Sequence, residues 1–127
     1  MDFRIELFVA DLDESIRFYE VALGFGLDRR EDDYASLRRG QAVLGLGAVS
    51  KLPLDGPGPG FTQSRVADGR GAGVEIVLEV EDLEDAYARF ARAGERAAEP
   101  IRTQPWGLRD FRIVDPDGYY LRITTKA

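Results

Sequence analysis

The chain contains no cysteine and no histidine among its 127 residues. Without cysteine there is no disulfide framework, no thiolate nucleophile and no cysteine-based zinc site. Without histidine the commonest metal ligand is gone, and with it the usual general base near neutral pH and every serine-histidine triad. Long apolar runs are missing too, since no window approaches the roughly 18 residues that a membrane span needs. Met1-Asp-Phe-Arg-Ile-Glu6 shows no basic stretch leading into an apolar one. A cytoplasmic protein without membrane contact is expected. Basic residues are the minority, 17 against 23 acidic ones, for a formal charge of −6. Such a field repels phosphates and argues against a nucleic-acid partner, while it tolerates a cationic or neutral small ligand.

What the chain does have is an internal duplication. Val9-Ala-Asp-Leu-Asp-Glu-Ser-Ile-Arg-Phe-Tyr19 is matched by Val80-Glu-Asp-Leu-Glu-Asp-Ala-Tyr-Ala-Arg-Phe90. Each copy follows a short alternating apolar run and leads to a glycine, Gly24 or Gly94. The unit is a strand feeding a helix, written twice. In the first copy Ile5, Leu7 and Val9 share one strand face and Arg4, Glu6 and Phe8 the other. Asp11 caps a helix whose apolar residues Leu12, Ile16, Tyr19 and Leu23 recur at helical spacing. Tyr19 therefore reads as packing rather than as an acid or base. Residues 33–38 and 41–48 read as strands around Arg39-Gly40. In the second copy Ile76, Leu78 and Val80 oppose Glu75, Val77 and Glu79, Asp82 opens a helix to about Ala93, and strands near 108–114 and 119–125 flank Asp115-Pro-Asp-Gly118. Lys51-Leu-Pro-Leu-Asp-Gly-Pro-Gly-Pro-Gly60 cannot hold a helix or central strand and reads as an inter-module connection, with a ligand-covering flap as the other reading.

The repeated Val-x-Asp-Leu unit, with Pro105-Trp-Gly-Leu-Arg-Asp-Phe111 and the Asp115-Pro-Asp-Gly118 turn, resembles the glyoxalase/bleomycin-resistance group of the vicinal oxygen chelate superfamily. The resemblance implies one α+β domain over residues 1–127. Module one (1–50) and module two (73–127), each βαβββ, are joined by a Gly/Pro-rich linker (51–72). Their sheets would form an open, curved partial barrel around a cleft, with helices outside. Strand parity then turns Arg4, Glu6, Phe8, Glu75, Val77 and Glu79 toward the cleft. Tyr120 and Arg122 would join them, as would Ala42, Leu44 and Leu46 from module one.

Enzymes of that family hold a divalent metal with a His on the first strand of each module and a Glu on the last. Counted from the motifs, those positions carry Arg4, Glu75 and Arg122, with Leu44 at the fourth. A guanidinium stays protonated and has no lone pair to offer, so no metal and no other cofactor is expected. Arg4 and Arg122 flanking Glu75 instead suggest a charged triad, either a structural plug between modules or a clamp with one arginine free for a ligand. Trp106 is an exposed or cleft-edge indole, able to stack a flat ring or to serve a dimer contact. Arg109 and Asp110 look like surface charges. Gly24, Gly26, Gly45 and Gly47 are spaced for turns and bulges, and no phosphate-cradling glycine pattern forms.

The function implied first is a metal-independent binding protein of the bleomycin-resistance type. As a homodimer it would sequester a bulky, partly aromatic or cationic natural product against Phe8, Glu6, Glu75, Glu79, Trp106, Tyr120, Arg122 and Arg4. No catalytic residue is assigned in that reading. The alternative is a metal-independent lyase- or isomerase-like enzyme using Glu6, Glu75 or Glu79 as base and an Arg to stabilise an oxyanion. A purely structural relic with a closed cleft is a third reading. A metal-dependent glyoxalase or extradiol dioxygenase ranks last, because both need the metal.

Overall fold

The computed structural model describes residues 1–126. Strand β1 (Ile5–Val9) leads into helix α1 (Leu12–Arg17), which runs on as a π turn over Phe18–Ala22. Strands β2 (Gly26–Arg30), β3 (Tyr34–Arg39) and β4 (Ala42–Ala48) complete the first module. After a 3₁₀ turn at Val49–Lys51, the connecting segment contains a short helix α2 (Gln63–Ala67). Strand β5 (Ile76–Val80), helix α3 (Leu83–Arg92) and strands β6 (Glu99–Thr103), β7 (Arg109–Val114) and β8 (Tyr120–Thr125) repeat the plan. The two four-stranded sheets have the orders β1-β4-β3-β2 and β5-β8-β7-β6, each with one parallel pair, and neither closes into a barrel. The fold is α+β, with βαβββ written twice.

The duplicated motif does the same local work in both copies. Asp11 and Asp82 lie in extended backbone before their helices and accept hydrogen bonds from the amides of Glu14 (3.1 Å) and Asp85 (2.9 Å). Each such cap is worth about 1 kcal/mol. The first helix departs from a simple periodic reading at its end. The π turn lets Phe18, Tyr19, Ala22 and Leu23 all enter the core, a wider buried face than a 3.6-residue period would give. Strands β2 and β6 escape the alternation signal because neither has a fully buried residue to set a face, β2 being exposed throughout.

Register corrects one expected set of cleft residues. In the parallel β1–β4 pair Ile5 stands beside Leu44 and Leu7 beside Leu46, so these side chains share a face. Leu44 and Leu46 are buried in the core and Ala42 packs against it; none of the three faces the cleft. The residues opposite Glu6 and Phe8 are Gly45 and Gly47. These glycines are not turns or bulges. A Cβ on Gly45 would lie 1.4 Å from Glu6 Oε2, and one on Gly47 would lie 3.3 Å from the Phe8 ring, so β4 is bare where β1 side chains cross it.

One core joins the modules, with Phe18 edge-on to Phe90 at 6.0 Å between helix faces. The Asp115-Pro-Asp-Gly118 turn locks them. Tyr19 Oη donates to Asp115 Oδ2 at 2.7 Å, and Asp115 Oδ1 accepts from the amides of Asp117 and Tyr119, both at 2.9 Å. Asp117 in turn accepts from the Ala10 amide at 2.8 Å, from Ser15 Oγ at 3.3 Å and from the Arg70 guanidinium. Tyr119 Oη donates to the Phe8 carbonyl at 2.8 Å, closing the outer edge of β1. Tyr19 is thus a core residue, as its periodicity implies, with its hydroxyl committed to this joint.

Burial raises the Asp115 carboxyl above the ordinary carboxylate range, despite the hydrogen bonds from Tyr19 and the two amides. The folded chain therefore holds that proton more tightly than the unfolded one. The stability it confers is complete below the unfolded carboxylate range and is lost as pH rises through the raised folded value. Asp115→Asn keeps an acceptor for both amides and turns a donor toward the Tyr19 hydroxyl oxygen. Its stability relative to the parent chain should improve as pH climbs through the acidic range, read by urea unfolding at a series of pH values. A difference that stays flat with pH would show that Asp115 is not the titrating group.

Candidate functional site

The non-helical faces of the two sheets carry the predicted site residues, in two separate groups. On the first sheet, Glu6 accepts from Tyr34 Oη at 3.0 and 2.9 Å and lies 3.4 Å from Arg4 Nε. Burial and the bond to Glu6 raise the Tyr34 hydroxyl above its usual value. Phe8, beside them, meets Phe61 of the connecting segment with ring centroids 4.4 Å apart. A cavity of about 320 Å³ opens along β1, walled by Glu6, Phe8, Phe61, Val66, Val74 and Tyr119 among others, with Arg65 and Arg70 at its margin. Its linings are mostly apolar with a few charged groups, the usual character of a small-molecule pocket.

The connecting segment is thus one wall of the cavity rather than a bare tether. Arg65 donates to the carbonyls of Gly60 and Gly56, and Thr62 caps α2 by accepting from the Arg65 amide at 3.2 Å. These bonds shape the Gly/Pro-rich run and present Phe61 to Phe8.

On the second sheet the charges converge on an arginine that the sequence pattern did not single out. Arg112 bonds Asp110 through Nε and Nη2, each at 3.3 Å, Glu75 through Nη1 at 3.1 Å, and Tyr120 Oη at 2.9 Å. Asp110 is buried, accepts from Gln104 Nε2 at 2.9 Å, and is no surface charge, whereas Arg109 is, paired outward with Glu84. Burial opposes the ionised Asp110 carboxylate, yet its bonds to Arg112 and Gln104 win and hold it below the usual range. The bond to Asp110 likewise holds Arg112 above its usual value. Only its place on an alternating strand, two residues from Asp110 and level with Arg122 across the β7–β8 pair, could have signalled Arg112.

Arg122 is held differently. Its Nε is 3.3 Å from Glu75 Oε1 but is not aligned for a hydrogen bond, and it is the one buried side-chain polar atom without a partner among the described residues. Its guanidinium carbon lies 5.7 Å from the centroid of the Trp106 ring, and Trp106 is itself exposed. The expected Arg4-Glu75-Arg122 triad does not form. Arg4 stays on the first sheet with Glu6, and its place beside Glu75 is taken by Arg112. Glu79 is exposed and carries no partner among the described residues. The cavity and this charge cluster share no lining residue.

The metal of the related enzymes does not fit these donors. Two of the positions are guanidinium groups, both oxygens of Glu75 face arginines, and no three Asp, Glu, His or Cys side chains among the described residues are placed to hold an ion. What the cluster offers is fixed positive charge and N–H donors.

Comparison with known proteins gives a family match and a fold. The family model described as Glyoxalase/Bleomycin resistance protein/Dioxygenase superfamily matches residues 3–123. No curated protein sequence matches the chain. Among solved structures, TioX from Micromonospora sp. ML1 is 21% identical with a TM-score of 0.79, covering 100% of this chain and 99% of that one. A bleomycin resistance determinant encoded on transposon Tn5 is 24% identical with a TM-score of 0.71, covering 99% and 98%. Lactoylglutathione lyase from Agrobacterium tumefaciens is 18% identical with a TM-score of 0.75, covering 98% and 92%. At these identities the likeness is one of fold.

The two arginines of the second sheet should separate by mutation. Arg112→Leu strands the buried Asp110 carboxylate and should cost about 3–5 kcal/mol in urea unfolding. Arg122→Leu breaks only a misaligned, partly exposed pair and should cost under about 1 kcal/mol. Equal losses would mean that Arg122 is as structural as Arg112.

Proposed function

The chain belongs to the Glyoxalase/Bleomycin resistance protein/Dioxygenase superfamily, and on that premise we propose that it is a metal-independent binding protein that sequesters a bulky, partly aromatic small molecule. The observation that carries the reading is the cavity of about 320 Å³ along β1, walled by the Phe8–Phe61 pair, in a chain whose family metal positions hold Arg4, Glu75 and Arg122. Sequestration needs shape, apolar walls and a few polar anchors, and no catalytic group. Glu6 and Phe8 line the cavity, and Tyr120, Trp106 and the Arg4, Glu75, Glu79 and Arg122 charges, outside its lining, are the further surface on which we expect a ligand to bear.

Of the alternatives named for the ligand, the aromatic one has the better support. Flat rings are served by Phe8, Phe61 and Trp106, while Glu6 and Glu75, which would receive a cation, are already engaged by arginines. The same engagement weighs against Glu6 or Glu75 as the base of a metal-independent enzyme, and Glu79, which has no partner among the described residues, lies outside the cavity lining. We place the protein in the cytoplasm as a homodimer, with the exposed Phe3, Phe61, Val77 and Trp106 as apolar surface for a second copy or a ligand to cover. No helix among the described residues is long and apolar enough to cross a membrane.

Calorimetric titration with a panel of glycopeptide, quinone and other polycyclic antibiotics in metal-free buffer tests the reading, with the fluorescence of Trp106, the sole tryptophan, as a second signal. Saturable binding at micromolar concentration or tighter, unchanged by chelator, is expected. Phe8→Ala should weaken it about tenfold or more through lost aromatic contact, while the loss of the Phe61 contact lowers the melting temperature by only a few degrees, about 4–8 °C per kcal/mol in a domain near this size. A flat response across the panel, or binding that appears only with added divalent metal, would overturn the proposal.

A further inference from the structure

We infer that Arg122 and Trp106, on the second sheet and outside the lining of the β1 cavity, form a second seat that takes a carboxylate borne on a flat ring, an inference that rests on reading the chain as a small-molecule binder. The two arginines of the cluster divide the available acceptors unequally. Arg112 bonds through all three of its nitrogens, to Asp110, Glu75 and Tyr120. Arg122 receives only the misaligned approach of Glu75 Oε1 to its Nε, and its two terminal nitrogens make no hydrogen bond within the described residues. A guanidinium has five N–H donors in a planar fork that matches a carboxylate edge. On this sheet face Arg122 is the arginine whose fork is open.

Trp106 sets the shape of the ligand. The guanidinium carbon lies over the indole, 5.7 Å from its centroid, a cation–π contact that favours this placement of the fork before a ligand arrives. Trp106 is more than half exposed and offers indole surface beside that fork. A ring that lies along the indole carries its carboxylate to the terminal nitrogens, while the buried Nε stays beside Glu75. The formal charge of −6 does not oppose this, because charges beyond about 8–10 Å are largely screened at physiological salt and the nearest donors decide. Glu75 is the local opponent, a carboxylate against the same guanidinium, and its charge should weaken an anionic ligand.

The test uses the whole chain and three probes of one shape, 2-naphthoate, 2-naphthamide and 2-naphthylmethylammonium. Affinity is measured by calorimetry, and contact by the Trp106 indole N–H and Arg122 Nε–H resonances. Naphthoate should bind about tenfold or more tighter than the amide, as charge-assisted pairing to a fork implies, and should shift both resonances. Arg122→Gln should abolish that preference. Arg122→Lys keeps the charge without the fork and should retain only part of it, a second route should the Gln variant fold poorly. Glu75→Gln should tighten naphthoate by several-fold and leave the amide unmoved. A preference for the ammonium probe, or a naphthoate preference that survives Arg122→Gln, overturns the seat. Equal affinity for all three probes overturns it while leaving the binding reading intact. Absence of binding by every probe also overturns the seat, and the polycyclic panel then decides the binding reading on its own.

Discussion

The docking of the Asp115-Pro-Asp-Gly118 turn onto the β1–α1 junction is the contact on which the rest of the molecule depends. The long connection between modules enters this joint itself through Arg70, whose guanidinium bonds Asp117. Orientation comes from Asp115 under the Tyr19 hydroxyl, Asp117 under the Ala10 amide and Ser15 hydroxyl, and Tyr119 on the Phe8 carbonyl. The contacts run from β1 at Phe8 through α1 at Ser15 to its π turn at Tyr19. The joint is buried and polar, so a partly made version would leave unsatisfied groups costing about 1–3 kcal/mol each, which favours one arrangement over near neighbours. The same joint stands Tyr119 behind the cavity and runs β1 along its floor.

Much of this was legible in the sequence, and the boundary of legibility is physical. The duplicated motif, its Asp caps and the alternation of β1 and β5 gave modules, helices and core faces correctly, because each rests on contacts a few residues apart. Face assignment failed where it required a register between strands. Leu44 and Leu46 alternate with Gly45 and Gly47 in a run that is apolar on both faces, so parity has no polar member to anchor it. Only the pairing of Ile5 with Leu44 decides, and only the proximity of Glu6 explains Gly45.

The site was legible in its members more than in its connections. Glu75, Arg122, Trp106 and Tyr120 do share one region, yet the partner of Glu75 is Arg112, not Arg4. A pairing hypothesis built from motif counting sees only positions with a family role, and Arg112 has none. Asp110 was misread for a related reason. A charged residue in a strand is usually solvated, and this one is buried because Gln104 and Arg112 arrive from elsewhere to satisfy it. Phe61 escaped because it lies in a segment whose composition forbids regular structure, and bonds from Arg65 to two glycine carbonyls give that segment its shape.

The exchange of ligand-type residues for arginine changes the chemistry of the cleft without reversing its polarity. A divalent cation and a guanidinium both put positive charge where an oxygen-rich group can dock. Their effects on the docked group differ. A metal accepts lone pairs, acidifies bound water and polarises a coordinated oxygen. A guanidinium donates hydrogen bonds, stays charged at any working pH and neither coordinates nor acidifies a water. With Arg112 tied to Asp110, Glu75 and Tyr120, and the Arg122 guanidinium beside the Trp106 ring, the second sheet presents fixed positive charge and N–H donors where a metal would present an acceptor of lone pairs.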